Sequence, residues 1–288
     1  MTRAQLHYLM VATTSRLSGT RAACPSCGHE DSDVVARKYV VTALHRCRQC
    51  RLLFRTPTLP PAESDAFYQE DYAQGFTTDL PDGATLASLT ASRFSGTEKD
   101  YRPYLEVLEA LGLHERQRVF DFGCSWGYGA WQIREAGFDV EAFEISRPRA
   151  AYARDRLAVD VHTALPPAAR EFDVFFSAHV LEHVPSVSAV VSYGLEMLKP
   201  GGLFVAFTPN ASEACRRVRP ESWMQAWGLV HPNFLDDEFY RTNWGSRPHL
   251  LASHPYDLDG VRAWSNRRAP LTLDSLAGDE LLFVLEAR

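Results

Sequence analysis

The stretch from Gln117 to Ile145 constrains this chain more than any other. Arg118 to Phe122 reads as a short buried strand, Val-Phe-Asp-Phe, that stops at Gly123. Gly123, Gly127 and Gly129 punctuate a turn, a helical run from Ala130 to Ala136 follows, and Gly137 ends it. A second strand, Asp139 to Ile145, carries Glu144 at its carboxyl end. An acid about twenty residues after the first glycine of a strand, turn, helix and strand is an arrangement with which α/β folds bind nucleotides. Glycine lets the backbone approach a ligand closely, and a carboxylate at the next strand end accepts from both ribose hydroxyls.

The spacing decides which nucleotide. Gly123-x-x-x-Gly127-x-Gly129 does not fit the dinucleotide fingerprint G-x-G-x-x-G. It resembles motif I of the class I S-adenosylmethionine (SAM) methyltransferases, D-x-G-x-G-x-G, with Ser125 in place of the middle glycine. The resemblance implies that Asp121, Gly123 and Gly127 surround the amino-acid end of SAM and that Glu144 holds the ribose. Gly123-Cys-Ser125-Trp-Gly127 also spells G-x-S-x-G, the nucleophile elbow of α/β-hydrolases. Hydrolases place that elbow after several strands and need an upstream oxyanion loop, whereas the stretch before Arg118 offers a cysteine module and a helix. The hydrolase is therefore the lesser reading.

The α/β alternation continues: a helix over Arg147 to Leu157, a short strand over Val159 to His162, and an apolar strand over Phe172 to Ser177. His179-Val-Leu-Glu182-His183-Val-Pro185 is similar to the H-V-L-E-H segment of the same family, which implies that His179 faces the methionine part of SAM. Ser186 to Leu198 reads as a helix stopped by Lys199-Pro-Gly-Gly202, and Leu203 to Thr208 as a strand. The run LKPGGLFVAFTPN again resembles the family, so the likeness covers residues 117 to 210 without a break. Leu250 to Tyr256 and Glu280 to Glu286 supply the last two strands as an antiparallel hairpin. The expected fold is a seven-stranded, mostly parallel Rossmann-like α/β sandwich with an amino-terminal zinc ribbon.

That ribbon is read from Cys24-x-x-Cys27 and Cys47-x-x-Cys50, separated by a segment of strand composition. Two C-x-x-C turns point four thiolates at one ion, and four sulfurs leave no open position, so a zinc here is structural. His29 and His45 are not needed as ligands. The run LLFRTP, then Tyr68 and Tyr72, resembles bacterial methyltransferases of sugars and other small molecules, whose tyrosine segment caps the SAM pocket. Packing of an aromatic helix face is the competing account of those tyrosines. Tyr101 to Leu113 reads as an amphipathic helix with Leu105, Leu108 and Leu111 on its apolar face. The expected division is a ribbon over 1–60, a linker and helical cap over 61–116, and the SAM-binding domain over 117–288 with an acceptor-site insertion near 211–250.

The insertion gathers Trp223, Trp227, Trp244, Phe234 and Phe239 around His231. Core packing accounts for part of that set. The rest is expected to wall an acceptor pocket in which His231 acts as general base toward a hydroxyl. A net charge of −6 argues against a nucleic-acid acceptor, leaving a sugar or other hydroxylated metabolite. The alternatives are an RNA methyltransferase, for which Arg46, Arg48 and Arg51 on the second knuckle form a basic cluster, and a ribbon protein whose α/β domain binds without catalysis. No apolar run reaches membrane-spanning length and the amino terminus lacks a signal-peptide core, so a reducing, cytoplasmic location is expected.

Overall fold

A computed structural model describes residues 23–38, 42–57, 79–228, 231–273 and 275–288. The first residues of the expected 1–60 ribbon and the tyrosine pair Tyr68 and Tyr72 lie outside the described residues. The amino-terminal module holds β1 (Ser32–Lys38), β2 (Thr42–Cys47) and β3 (Leu53–Thr56). Two helices, α1 (Gly83–Ala91) and α2 (Arg102–Ala110), lead into the main domain. There the chain runs β4 (Arg118–Phe122), α3 (Tyr128–Glu135), β5 (Asp139–Phe143), α4 (Arg147–Leu157), β6 (Asp160–His162) and β7 (Phe172–Ala178). It continues through α5 (Val187–Met197), β8 (Leu198–Pro209), α6 (Glu213–Val218), α7 (Pro220–Gln225), β9 (Asn233–Phe234) and α8 (Asp237–Trp244). The last elements are β10 (His249–Ser253), α9 (Leu258–Arg267), β11 (Leu271–Thr272) and β12 (Glu280–Glu286).

The main sheet has the order β11-β10-β12-β8-β7-β4-β5-β6. Only β12 runs against its neighbours, β8 and β10. Its strands alternate faces as a pleat requires. Phe175 of β7 stacks on Phe204 of β8 at 5.1 Å and joins Phe120 on one face. Phe176 and Phe207 meet Tyr104 on the other, at 6.3 and 4.4 Å. Both faces are therefore buried, which is why these strands read as nearly unbroken apolar runs. The amphipathic reading of α2 holds, since Leu108 and Leu111 are buried.

Three expectations need correction. The sheet has eight strands rather than seven, because Leu271 and Thr272 pair in parallel with Leu250 and Leu251. The last two long strands pair antiparallel, Leu250 opposite Val284, but α9 intervenes, so they form no hairpin. Lys199 to Gly202 does not lie outside a strand: β8 begins at Leu198, which pairs with Phe172 as soon as α5 ends.

A second, antiparallel sheet has the order β1-β2-β3-β9. Its fourth strand comes from the insertion far along the chain: Leu53 pairs with Phe234 and Phe54 with Asn233. Leu44 and Leu53 bury themselves against Trp223, Trp227 and Phe234 in a separate small core. Among the described residues, no helix is long and apolar enough to cross a membrane.

The ribbon is also pinned by charge. Arg46 lies 2.6 Å from Asp236, whose side chain is 2% exposed, and 2.7 Å from Glu238. Arg46→Ala strands that buried carboxylate and should cost about 3–5 kcal/mol in urea denaturation. Arg48→Ala, at the exposed pair with Asp33, should leave the unfolding midpoint unchanged.

Candidate active site

The site sits at the carboxyl ends of β4, β5 and β7. The chain leaves β4 through Gly123 at φ +87, and enters α3 from Gly127, also at φ +87. Both positions need the left-handed freedom that glycine has, and both are tight. A Cβ on Gly123 would lie 2.5 Å from Val180, and one on Gly127 2.7 Å from Ala153. The contact between Gly123 and Val180 brings the H-V-L-E-H loop against the glycine turn. The N–H groups of Gly123 and Cys124 both donate to the Phe143 carbonyl, at 2.8 and 3.0 Å, and tie the turn to the end of β5. Ser125, standing where the family motif has glycine, adopts φ +53.

Glu144 compensates for that serine. One of its oxygens accepts the Ser125 N–H at 3.0 Å and the other the Ser146 N–H at 2.7 Å. Burial raises its pKa, while those backbone bonds and the Arg149 charge oppose the rise. Each oxygen keeps a further lone pair. Asp121 is 2% exposed and its Oδ2 accepts no hydrogen bond. Burial, helped by the Glu144 charge, lifts its pKa to about 7. The Ser125 hydroxyl accepts from Arg149 at 3.3 Å, and among the described residues no histidine stands beside it to take its proton, so the hydrolase constellation is not assembled.

His179 follows β7 in a left-handed conformation, φ +56, with its N–H donated to the Phe207 carbonyl at 2.8 Å. Its Nε2 lies 2.6 Å from Glu280 and its Nδ1 3.5 Å from Glu182. Desolvation would lower its pKa, but the Glu182 and Glu280 carboxylates beside its two ring nitrogens raise it to about 10. The two carboxylates thus favour the imidazolium form of His179. Tyr104 donates to Glu280 at 2.7 Å and Tyr256 at 2.5 Å. Glu280, Tyr104 and Tyr256 were missed by sequence reasoning. The available signal was topological: the first residue of an antiparallel last strand returns to the carboxyl edge of a parallel sheet.

His231 stands one step further along. Its Nδ1 donates to the Ala226 carbonyl at 2.5 Å, since a carbonyl can only accept. Its ring meets that of His183 edge-on at 4.7 Å, and His183 Nε2 lies 3.9 Å from Glu182. The aromatic insertion is used differently from the expectation. Trp223 and Trp227 are 2% and 1% exposed and pack against the ribbon, with the Trp223 indole N–H donated to the Ala211 carbonyl at 2.9 Å. They pack with Leu44, Leu53 and Phe234 in the small core that seats the ribbon, and their own rings are buried there rather than open to a pocket.

The four cysteines come together as their spacing suggests. Sγ of Cys24 is 3.5 Å from Sγ of Cys50, and Sγ of Cys27 is 3.6 Å from Sγ of Cys47. All four sulfurs lie within 4.8 Å of one another. A tetrahedron with zinc–sulfur bonds of about 2.3 Å separates its sulfurs by about 3.8 Å, so the group fits zinc.

Residues 97–244, just over half of the chain, match the family model described as a methyltransferase domain. A malonyl-[acyl-carrier protein] O-methyltransferase of Pseudescherichia vulneris is 28% identical over 159 residues, which cover 51% of this chain and 62% of that protein. A ubiquinone biosynthesis O-methyltransferase of Bordetella avium is 28% identical over 141 residues, 43% of this chain and 58% of that protein. The chain thus spans less than two thirds of the length of these curated relatives. Among solved structures, a geranyl diphosphate C-methyltransferase from Streptomyces coelicolor A3(2) superposes at a TM-score of 0.50, with 16% identity, over 80% of this chain and all of that one. That likeness is one of fold. With the motif I turn at the carboxyl edge of the sheet and a family match over half its length, the chain belongs to the class I SAM-dependent methyltransferases.

Proposed function

We propose that this enzyme methylates a hydroxyl of a free small molecule, a sugar or a related metabolite, rather than RNA. The observation that carries this reading is the state of the ribbon arginines. Arg46 is paired with Asp236 and Glu238, Arg48 with Asp33, and Arg51 with Glu238. A cluster already neutralised by carboxylates gives little attraction to a phosphate backbone, and the net charge of −6 adds repulsion. The two O-methyltransferases among the relatives support an oxygen acceptor.

Asp121, Gly123 and Gly127 are assigned to the amino-acid end of SAM, where the unpartnered Asp121 oxygen suits an ammonium group. Glu144 is assigned to the ribose hydroxyls, and His179 to the border of the methionine part. The sulfonium of SAM carries its own activation, so the residues around it align the acceptor and exclude water. His179, whose protonated form is favoured by Glu182 and Glu280, is poorly suited to take a proton. His231 is assigned that task, because its Nδ1 is committed to Ala226 and its Nε2 keeps a lone pair. Cys24, Cys27, Cys47 and Cys50 are assigned one structural zinc.

The reading is tested by measuring release of S-adenosylhomocysteine from the full chain across a panel of free sugars, phenols and structured RNAs. Turnover with RNA alone would overturn it. Glu144→Ala removes two charge-assisted bonds worth roughly 1.5–3 kcal/mol each, so SAM affinity in calorimetry should fall at least about tenfold. His231→Ala should lower turnover by about 10²–10⁴ with SAM affinity intact. A variant that loses stability but keeps its rate per folded molecule would show that His231 only packs. Elemental analysis of protein purified without added metal should give about one zinc per chain, and chelation should unfold the ribbon.

A further inference from the structure

Glu182, His183 and His231 come from two segments about fifty residues apart, and each places one ligand atom within 4.8 Å of the others. Glu182 is 1% exposed, and neither of its carboxylate oxygens accepts a hydrogen bond. The imidazoles of His179 and His183 stand 3.5 and 3.9 Å from it. Burying a carboxylate in this way is costly unless something completes its shell. The imidazole of His231 is prepared for such a role. Its Nδ1–H is given to the Ala226 carbonyl, which fixes the tautomer and leaves Nε2 as the nitrogen with a lone pair to offer, as second-shell carbonyls do for metal-ligating histidines.

The two segments are also locked together. The Asn233 side-chain amide donates to the Val184 carbonyl at 2.7 Å and the Leu181 carbonyl at 3.4 Å, and its backbone N–H donates to the Glu182 carbonyl at 3.1 Å. The Arg55 N–H of β3 donates to the Pro232 carbonyl at 2.8 Å. His231, Glu182 and His183 are therefore held in register by backbone bonds on both sides.

We propose that Glu182, His183 and His231 form a second metal site, distinct from the four cysteines, for one divalent first-row transition ion. Two imidazoles and one carboxylate suit zinc, cobalt, nickel or iron better than magnesium, which prefers an all-oxygen shell. Three protein ligands leave a coordination position open, the hallmark of a working rather than a structural site. The site's use rests on the hydroxyl-methylation reading, although its existence does not. An acceptor hydroxyl at the open position has its pKa lowered by the ion. Methyl transfer then forms the carbon–oxygen bond and breaks the carbon–sulfur bond, whose electron pair neutralises the sulfonium. The hydroxyl proton leaves to solvent, so charge balances. In that case the His231 lone pair is held by the ion, and the ion replaces a free imidazole as the group that activates the hydroxyl.

The test uses the full chain with its cysteine site loaded with zinc, titrated with Co2+ in a calorimeter and followed by visible absorption. The parent should take up one Co2+ whose spectrum lacks thiolate charge transfer. Glu182→Gln, His183→Ala and His231→Gln should each weaken that uptake at least about tenfold, as loss of a ligand or its support does elsewhere. Binding of S-adenosylhomocysteine, measured on the same variants, reports that they are folded and tests the SAM assignment separately. Absence of Co2+ uptake by the parent, uptake only with a thiolate spectrum, or unchanged affinity in folded His231→Gln and His183→Ala would each overturn the proposal.

Discussion

The short ladder between β3 and β9 is the contact on which the placement of His231 and of the H-V-L-E-H loop depends. Leu53 opposite Phe234 and Phe54 opposite Asn233 make a strand pair of minimal length. Alone it would be marginal, since a two-residue strand buries little. It is sustained by what surrounds it. Leu44 and Leu53 pack on Trp223, Trp227 and Phe234, and Arg46 reaches across to Asp236. In turn the ladder fixes His231 and Asn233, and Asn233 holds the carbonyls of Leu181 and Val184. The ribbon thus reaches the H-V-L-E-H loop through two strands and one amide. A module that looks like an appendage in the sequence is part of the scaffold that sets the geometry beside His179.

This arrangement explains what was legible in the sequence and what was not. The alternation from Arg118 to Pro209 was readable because each element carries its own local signal. Gly123 and Gly127 mark the turn, and β7 and β8 are apolar on both faces. Gly127 sits at φ +87, as its place in the motif suggested, and the four sulfurs converge as two C-x-x-C turns should. The remainder depends on contacts between distant segments. Nothing local in Asn233 and Phe234 says that they extend a sheet begun at Ser32. The concentration of tryptophans was visible, but a large ring buries equally well against a ligand or a ribbon, and only the β3–β9 pairing decides between them. Glu280 carries no motif at all, and only the antiparallel direction of β12 brings it to His179.

Ser125 shows how a departure from a family pattern is absorbed locally. A side chain at φ +53 costs of order 1 kcal/mol relative to glycine. The same conformation aims the Ser125 N–H at Glu144, 3.0 Å away, and its hydroxyl at Arg149. The turn keeps its shape because a charge-assisted bond offsets the backbone strain.

The charges of the pocket complete the argument. Asp121 and Glu144 are both buried, and burial, with the Glu144 charge added, raises the Asp121 pKa to about 7. His179, by contrast, is held cationic by Glu182 and Glu280 on its two sides. The site therefore presents an acidic wall along β4 and β5 and a clamped cation after β7. SAM carries an ammonium, a sulfonium and a carboxylate. In the assignment proposed above, its ammonium would face Asp121 and its carboxylate would face the His179 imidazolium. On that assignment, loss of the sulfonium charge beside an unchanged acidic wall would make the pocket favour the charged donor over its neutral product.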